Sequence, residues 1–273
     1  MVLDDLKLEA VGVSKRLKLG NGSARIDDAP PKEEVEEATK KLLERLDDLQ
    51  NAFYADGRHA LLLVLQGRDA SGKDGLIRKV VGAFNPMGVR ITSFGVPSEE
   101  ESSHDYLWRI HRAAPPRQMI GVWNRSHYED VLVVRVKEQV PPRVWRKRFE
   151  QINDFEKMLS RNNVTIRKCF LHVSHAEQHE RLHSRLENPK KNWKFRLGDL
   201  EDREKWDAYT DAYRDVLTRC STKHAPWYVV PSDDNAIRNY LVARMLVETL
   251  ESLKLKYPVM DGSVRAAAEA AQW

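Results

Sequence analysis

A chain of 273 residues has room for one large α/β unit or for somewhat under two average domains. Lys and Arg total 45 against 41 Asp and Glu, and a formal charge of +4 is too small for a general nucleic-acid coat. Hydrophobic residues, at 41%, suffice for a packed core, and the two cysteines, Cys169 and Cys220, exclude a disulfide scaffold or a Cys-rich zinc site.

Residues 1–31, ending in Pro30 and Pro31, read as an arm lying on the body. Met1–Leu19 has no signal-peptide core, and the longest apolar run, Ala60 to Leu65, is far short of the ~20 residues of a bilayer span. A cytoplasmic protein without a membrane partner is expected. From Lys32 to about Tyr54, Val35, Ala38, Leu42, Leu43, Leu46 and Leu49 recur at helical steps on one face. Ala60–Leu65, bounded by Gly57 and Gly67, reads as a strand buried on both faces, as in parallel sheets. Further strands are expected at Arg90–Phe94, Met119–Trp123, Val164–Val173 and Trp227–Val230. Helices are expected at Asp74–Phe84, Glu99–Arg112, Pro142–Arg161, Ala176–Arg185, Glu201–Thr218 and Asn235–Leu255. Strands alternating with helices imply right-handed crossovers and a parallel five-stranded sheet flanked by helices. The chain divides into the arm, one α/β domain over 32–258, and a tail over 259–273 whose Ala-rich end frays.

Between the first strand and the next helix stands Gly67-Arg68-Asp69-Ala70-Ser71-Gly72-Lys73-Asp74, the G-x-x-x-x-G-K core of a P-loop in strand–loop–helix context. Gly67 and Gly72 permit a backbone that turns successive N–H groups toward one anion. The dipole of the following helix adds to this, and Lys73 supplies a mobile charge for terminal phosphate oxygens. The whole loop, with Arg68, Ala70 and Ser71 inside it, is assigned to phosphate binding. The alternative is a Gly-rich turn with a surface lysine. Asp74 stands where such loops usually carry a Ser or Thr for Mg²⁺. Asp69 is the better metal candidate, unless it merely caps the loop.

The third strand runs into Asn124-Arg125-Ser126-His127-Tyr128-Glu129-Asp130. Asn124 stands where P-loop proteins normally end this strand with a Mg²⁺-binding acid. Glu129 and Asp130 lie beyond the carboxyl edge of the sheet, where open α/β sheets bind ligands, and Arg125 offers a fork suited to phosphate. By themselves these residues are equally readable as a solvated helix start. A third patch joins Arg181 and Arg185 to Lys190, Lys191, Trp193, Lys194, Phe195 and Arg196, between the fourth strand and the next helix. It reads as a basic lid of about 181–200 over a polyanion, or as an ordinary exposed basic loop. Its aromatics would also suit single-stranded nucleic acid, so the patch does not identify its anion. The run Arg143–Arg148 is expected to be a solvated helix face. His179 and His183 have metal-type spacing but no third ligand.

In combination these stretches resemble the polyphosphate kinase 2 family. Carrying the likeness are Gly67–Gly75, Phe84–Phe94, His104–Arg112, Gly121–Leu132, Trp193–Phe195 and Trp206–Tyr209, within about residues 30–258. The resemblance implies a thymidylate-kinase-like P-loop kinase fold with a helical lid. It also implies Mg²⁺-dependent (or Mn²⁺-dependent), reversible transfer of a terminal phosphate from inorganic polyphosphate to a nucleotide. Carried across, Asp69 and Asp130 are metal-associated, and Lys73 and Arg125 act on the transferring phosphates. Arg181, Lys190, Lys191 and Lys194 track the chain, and Asn124 and Glu129 face the acceptor. Glu at 129 resembles members that accept nucleoside monophosphates as well as diphosphates, so AMP and ADP are both expected; a homo-oligomer is also expected, with no nucleic-acid partner. Two readings compete: an ATP-dependent nucleoside monophosphate kinase, against which Asp74 and the basic lid count, and a non-catalytic polyanion-binding module, which would not need carboxylates facing phosphates.

Overall fold

The apolar run after Gly57 forms β1 (Ala60–Gln66), and all seven of its residues are buried. A strand so placed must be covered on both faces. In the computed structural model, which describes residues 2–12 and 17–271, β1 is the centre of a parallel five-stranded sheet. The other strands are β2 (Val89–Ser93), β3 (Ile120–Asn124), β4 (Val164–His172) and β5 (Trp227–Pro231), in the order β2-β3-β1-β4-β5. Leu65 is in register with Asn124 on β3 and Cys169 on β4, so the loops after these strands open at one edge. β2, an outer strand, is largely exposed.

The period-two alternation of β1 sorts the core. Leu61, Leu63 and Leu65 pack with Leu46, Leu49 and Phe53 of α1 (Lys32–Asp56), Leu76 of α2 (Lys73–Lys79) and Val242, Leu246 and Leu250 of α10 (Asn235–Ser252). Leu62 and Val64 face the opposite layer. There they meet Val131 of α5 (Glu129–Val136), Phe149 and Ile152 of α6 (Pro142–Arg161), and Tyr213 and Val216 of α9 (Trp206–Arg219). Each such leucine, fully buried, stabilises the fold by ~1.5–3 kcal/mol.

Several boundaries differ from the sequence reading, for local reasons. The expected helix 99–112 is two short helices, α3 (Glu99–Ser103) and α4 (Trp108–Arg112). Ser98 and Glu101 close a capping box on the first, and extended His104 ends it. The expected helix 201–218 divides at Lys205 into α8 (Leu197–Glu204) and α9. α2 stops at Lys79, and a 3₁₀ turn, Val81–Ala83, follows. The apolar periodicity of α5 is too brief to stand out beside the motif it follows.

The arm packs Leu6 beside Val35, Tyr240 and Leu241. Arg244 Nη1 donates to the carbonyls of Leu3, Asp4 and Leu6, at 3.0–3.2 Å. Ala10 bridges Tyr228 antiparallel at the free edge of β5, and the carbonyl of Ala24 accepts from Ser232 and Asp233 N–H. At the other end α11 (Gly262–Ala270) buries no residue, and the last two residues of the expected frayed tail lie outside the described ones.

Candidate active site

β1 delivers the phosphate loop at the carboxyl edge of the sheet. A β-carbon on Gly67 would stand 2.7 Å from the Leu171 carbonyl, so only glycine lets the loop pass β4 this closely. Ala70 and Gly72 take the left-handed conformation, with φ of 62° and 94°. Lys73 is buried, and its Nζ donates to the carbonyls of Gly67 (2.6 Å) and Arg68 (3.2 Å). Burial pushes the ammonium below the usual lysine range while Asp69 pulls it up. Its partners are neutral acceptors, which anionic phosphate oxygens would outcompete.

The turn after β3 meets this loop from the side. Arg125, at φ 62°, anchors its N–H on the Leu65 carbonyl (3.0 Å) and donates from Nη2 to Asp69 Oδ1 (3.0 Å). Burial opposes its charge, but Glu129 and Asp69 hold the guanidinium above its ordinary value. Burial raises the Glu129 carboxyl, against the pull of Arg125, Lys73 and a hydrogen bond from Gln66. Asp69, Lys73, Arg125 and Glu129 thus share one electrostatic neighbourhood. Asn124 Nδ2 donates to Asp74 Oδ1 (3.3 Å), and Lys194 Nζ lies 3.4 Å from Asp74 Oδ2, joining the basic segment 190–196 to the loop.

Asp130 faces elsewhere, since consecutive helical residues diverge by ~100°. Its carbonyl and Oδ1 accept from Arg148 Nη1, at 2.8 and 3.3 Å, while its Oδ2 is buried without a partner among the described residues. Burial raises this carboxyl, with Arg148, Arg109 and His127 opposing. The basic run 143–148 is therefore not simply a solvated face: Trp145 is in the core and Arg148 is committed to Asp130. Among the described residues no three His, Cys, Asp or Glu side chains come together as an all-protein metal cage. Mg²⁺ commonly takes one or two carboxylates plus substrate phosphates. Partly exposed Asp69 fits such a role; Asp130, whose Oδ2 has no partner among the described residues, offers a second carboxylate, but it is held by Arg148 where Asp69 is held by Arg125.

The helix after β4 is stapled to the loop. From α7 (His175–Glu187), Gln178 Nε2 donates to the Asp69 carbonyl (2.9 Å). Arg181 donates to the carbonyls of Ala70 (3.0 Å), Ser232 (2.7 Å) and Asp233 (2.8 Å) and to Glu177 Oε1 (2.7 Å). Arg181 thus lies behind the loop, whereas Lys190, Lys191 and Trp193 are exposed. Arg68 turns away from the loop interior, stacks 3.8 Å from the Trp206 ring and donates to Thr210 Oγ1, leaving Nε and Nη1 buried without partners among the described residues. Burial brings its pKa down to about 10.

Beneath the turn lies a polar cluster that sequence reasoning missed. Lys168 Nζ donates to Glu156 Oε2, to Tyr128 Oη (2.8 Å) and to the Cys220 carbonyl (2.8 Å). Glu156 Oε1 accepts from Tyr128 Oη (2.9 Å) and lies 3.2 Å from His127 Nε2. Ser126 Oγ accepts from Gln66 Nε2 (3.1 Å) and Tyr128 N–H (3.3 Å), tying the turn to β1. The available signal was Lys168 directly before the apolar run Cys169–Leu171 of a strand, with a glutamate on a helix that has Trp145, Phe149 and Ile152 on one face.

A parallel sheet whose central strand ends in a glycine loop with a buried lysine, faced by an arginine and a glutamate from the turn after the adjoining strand, defines a P-loop phosphotransferase. The chain belongs to the Polyphosphate kinase 2 (PPK2) family, which it matches over residues 30–258. It is 54% identical over 222 residues to the AMP/ADP-polyphosphate phosphotransferase of Meiothermus ruber, covering 81% of this chain and 83% of that protein. It is 44% identical over 261 residues to the ADP-polyphosphate phosphotransferase of Rhodopseudomonas palustris, covering 91% and 90%. The crystal structure of Polyphosphate Kinase 2 from Arthrobacter aurescens TC1 superposes with a TM-score of 0.86 at 37% identity, over 97% of this chain and 99% of that one.

Proposed function

We propose that the protein transfers the terminal phosphate of inorganic polyphosphate to AMP and ADP, reversibly and by in-line displacement. The observation that carries this reading is the meeting of Lys73, Asp69, Arg125 and Glu129 where the β1 and β3 loops converge. The names of the Meiothermus and Rhodopseudomonas relatives support the donor and the two acceptors.

Transfer between two polyanions asks mainly for alignment and charge neutralisation. The acceptor phosphate is already ionised, so no strong base is needed. Loop N–H groups and Lys73 hold donor phosphate oxygens, Lys73 exchanging the carbonyls of Gly67 and Arg68 for them. Arg125 offers its fork to the phosphate in transit, while Asp69 holds the guanidinium in place beforehand. Mg²⁺ or Mn²⁺, held by Asp69 with Asp130 as the second carboxylate, would neutralise developing charge on the phosphates. Lys190, Lys191 and Lys194 line the approach of the chain, with Arg181 securing the loop behind them. Asn124 and Glu129 face the acceptor.

The test is incubation of the purified protein with Mg²⁺, polyphosphate and either AMP or ADP, with chromatography of the nucleotides. ADP and ATP appear if the reading holds. No product with polyphosphate as sole donor, alongside turnover with ATP and a monophosphate, assigns the other kinase chemistry instead.

A further inference from the structure

Behind the phosphate loop stands a cation that the mechanism above does not use. Arg238, in the first turn of α10, is 2% exposed, as deeply buried as a core leucine. Its Nε and Nη2 donate to Asn239 Oδ1, at 3.3 and 2.9 Å, and its Nη1 to Asn235 Oδ1. Both partners are neutral amides. Among the described residues no carboxylate forms an ion pair with it, and Asp234, the acid that favours its charge, has Oδ1 engaged by the N–H groups of Ala236 and Ile237. Burial, and the neighbouring charge of Arg181, bring its pKa down to about 10.

An uncompensated buried guanidinium costs stability unless an anion arrives to meet it. The guanidinium fills the space in which a side chain at position 72 would stand: a β-carbon on Gly72 would collide with Arg238 Nη1, and one on Gly75 would lie 3.5 Å from Nη2. Arg181 Nη1 is 3.6 Å from the same point on Gly72. Two arginines thus back a loop whose front is the proposed phosphate site, one paired with Glu177 and bonded to protein carbonyls, the other, among the described residues, bonded to amides alone.

Resting on the function proposed above, we infer that Arg238 is a positioning residue for the polyphosphate donor, supplying a fixed positive charge through the loop backbone and wedging Gly72 in its left-handed conformation. The charge is destabilising in the empty protein and becomes favourable when phosphates occupy the loop, because the intervening medium is protein rather than water. Asn235 and Asn239 hold the guanidinium in place without neutralising it.

The experiment compares wild type with Arg238→Met and Arg238→Lys, measuring kcat and KM for polyphosphate at saturating AMP. Melting temperatures are taken without ligand and with polyphosphate. R238M should raise the polyphosphate KM on the order of tenfold, and its ligand-free melting temperature should equal or exceed that of wild type. The rise in melting temperature on adding polyphosphate should shrink. R238K, which keeps the charge but not the fork held by Asn235 and Asn239, should raise the KM less than R238M does. A structural role alone predicts the opposite: a lower ligand-free melting temperature in R238M with KM unchanged. That result, R238M failing to fold, or R238K having the same polyphosphate KM as R238M, overturns the inference. Absence of polyphosphate-driven turnover in the wild type would refute the proposed function itself, so the two failures are separable.

Discussion

Arg125 Nη2 and Asp69 Oδ1, 3.0 Å apart, join two loops that leave adjacent parallel strands. The pair sets the spacing between the loop proposed to hold the donor and the turn proposed to face the acceptor. Both groups are partly open to solvent, so the bond is readily exchanged for phosphate or metal contacts.

Replacing Lys73 by Ala, or Asp69 by Asn, should lower transfer on the order of 10²–10³-fold or more. The fold should survive, since neither side chain packs in the apolar core. Initial rates and circular dichroism check this together; full activity in either variant would remove that residue from the site.

Glu129→Asn should reduce turnover with AMP more than with ADP, by on the order of tenfold in the ratio of kcat/KM values. Glu129 shares the field of Arg125 and Lys73, so changing its charge alters what the acceptor end must supply. An equal loss with both nucleotides would show that it does not set acceptor choice.

The pH profile follows from the same burial. Glu129 titrates above the ordinary glutamate range, so kcat/KM with AMP should fall on acidification at a pH higher than for an exposed glutamate. Glu129→Gln should lack that limb. Stability behaves differently group by group. A raised carboxyl pKa in the fold, as for Glu129 and Asp130, is a penalty at neutral pH that eases as pH falls through the folded value. Burial alone would push Glu156 up, but Lys168 and His127 hold it below the usual range. Its contribution is therefore present above the unfolded pKa and lost as pH falls through the folded one. Melting curves between neutral and acidic pH should show Glu156→Gln flattening the acid loss.

Lys168→Met alone should destabilise by ~3–5 kcal/mol, because it leaves Glu156 charged and buried without its partner. Adding Glu156→Leu should recover much of that loss. The double variant should still transfer phosphate poorly, since Tyr128 and His127 lose the contacts that hold the turn carrying Arg125 and Glu129. Chemical denaturation and rates on the three proteins test this; an unimpaired double variant would make the cluster purely structural.

Much of this was legible in one dimension. The phosphate loop, the central strand and the parallel sheet could be read because each is a local pattern: glycines at fixed offsets, the six-residue apolar run Ala60–Leu65, helical repeats of apolar residues. The pairing of Asp69 with Arg125 was not legible, though both residues were singled out, because 56 positions separate them. Nor was the divergence of Asp130 from Glu129, which depends on α5 beginning at Glu129. Arg181 shows the same limit. Its place in a basic patch suggested a surface role, and only the approach of Ser232 and Asp233 turned it behind the loop.

The order of residues by itself determined the chemistry available, because glycine spacing, a lysine before a helix and acids at a strand end are properties of neighbours along the chain. Tertiary structure alone decided which charges meet. Parallel strands bring distant loops to one edge, and burial then sets whether a lysine finds Glu156 in the core or an arginine stands behind Gly72 with neutral amides as its hydrogen-bond partners.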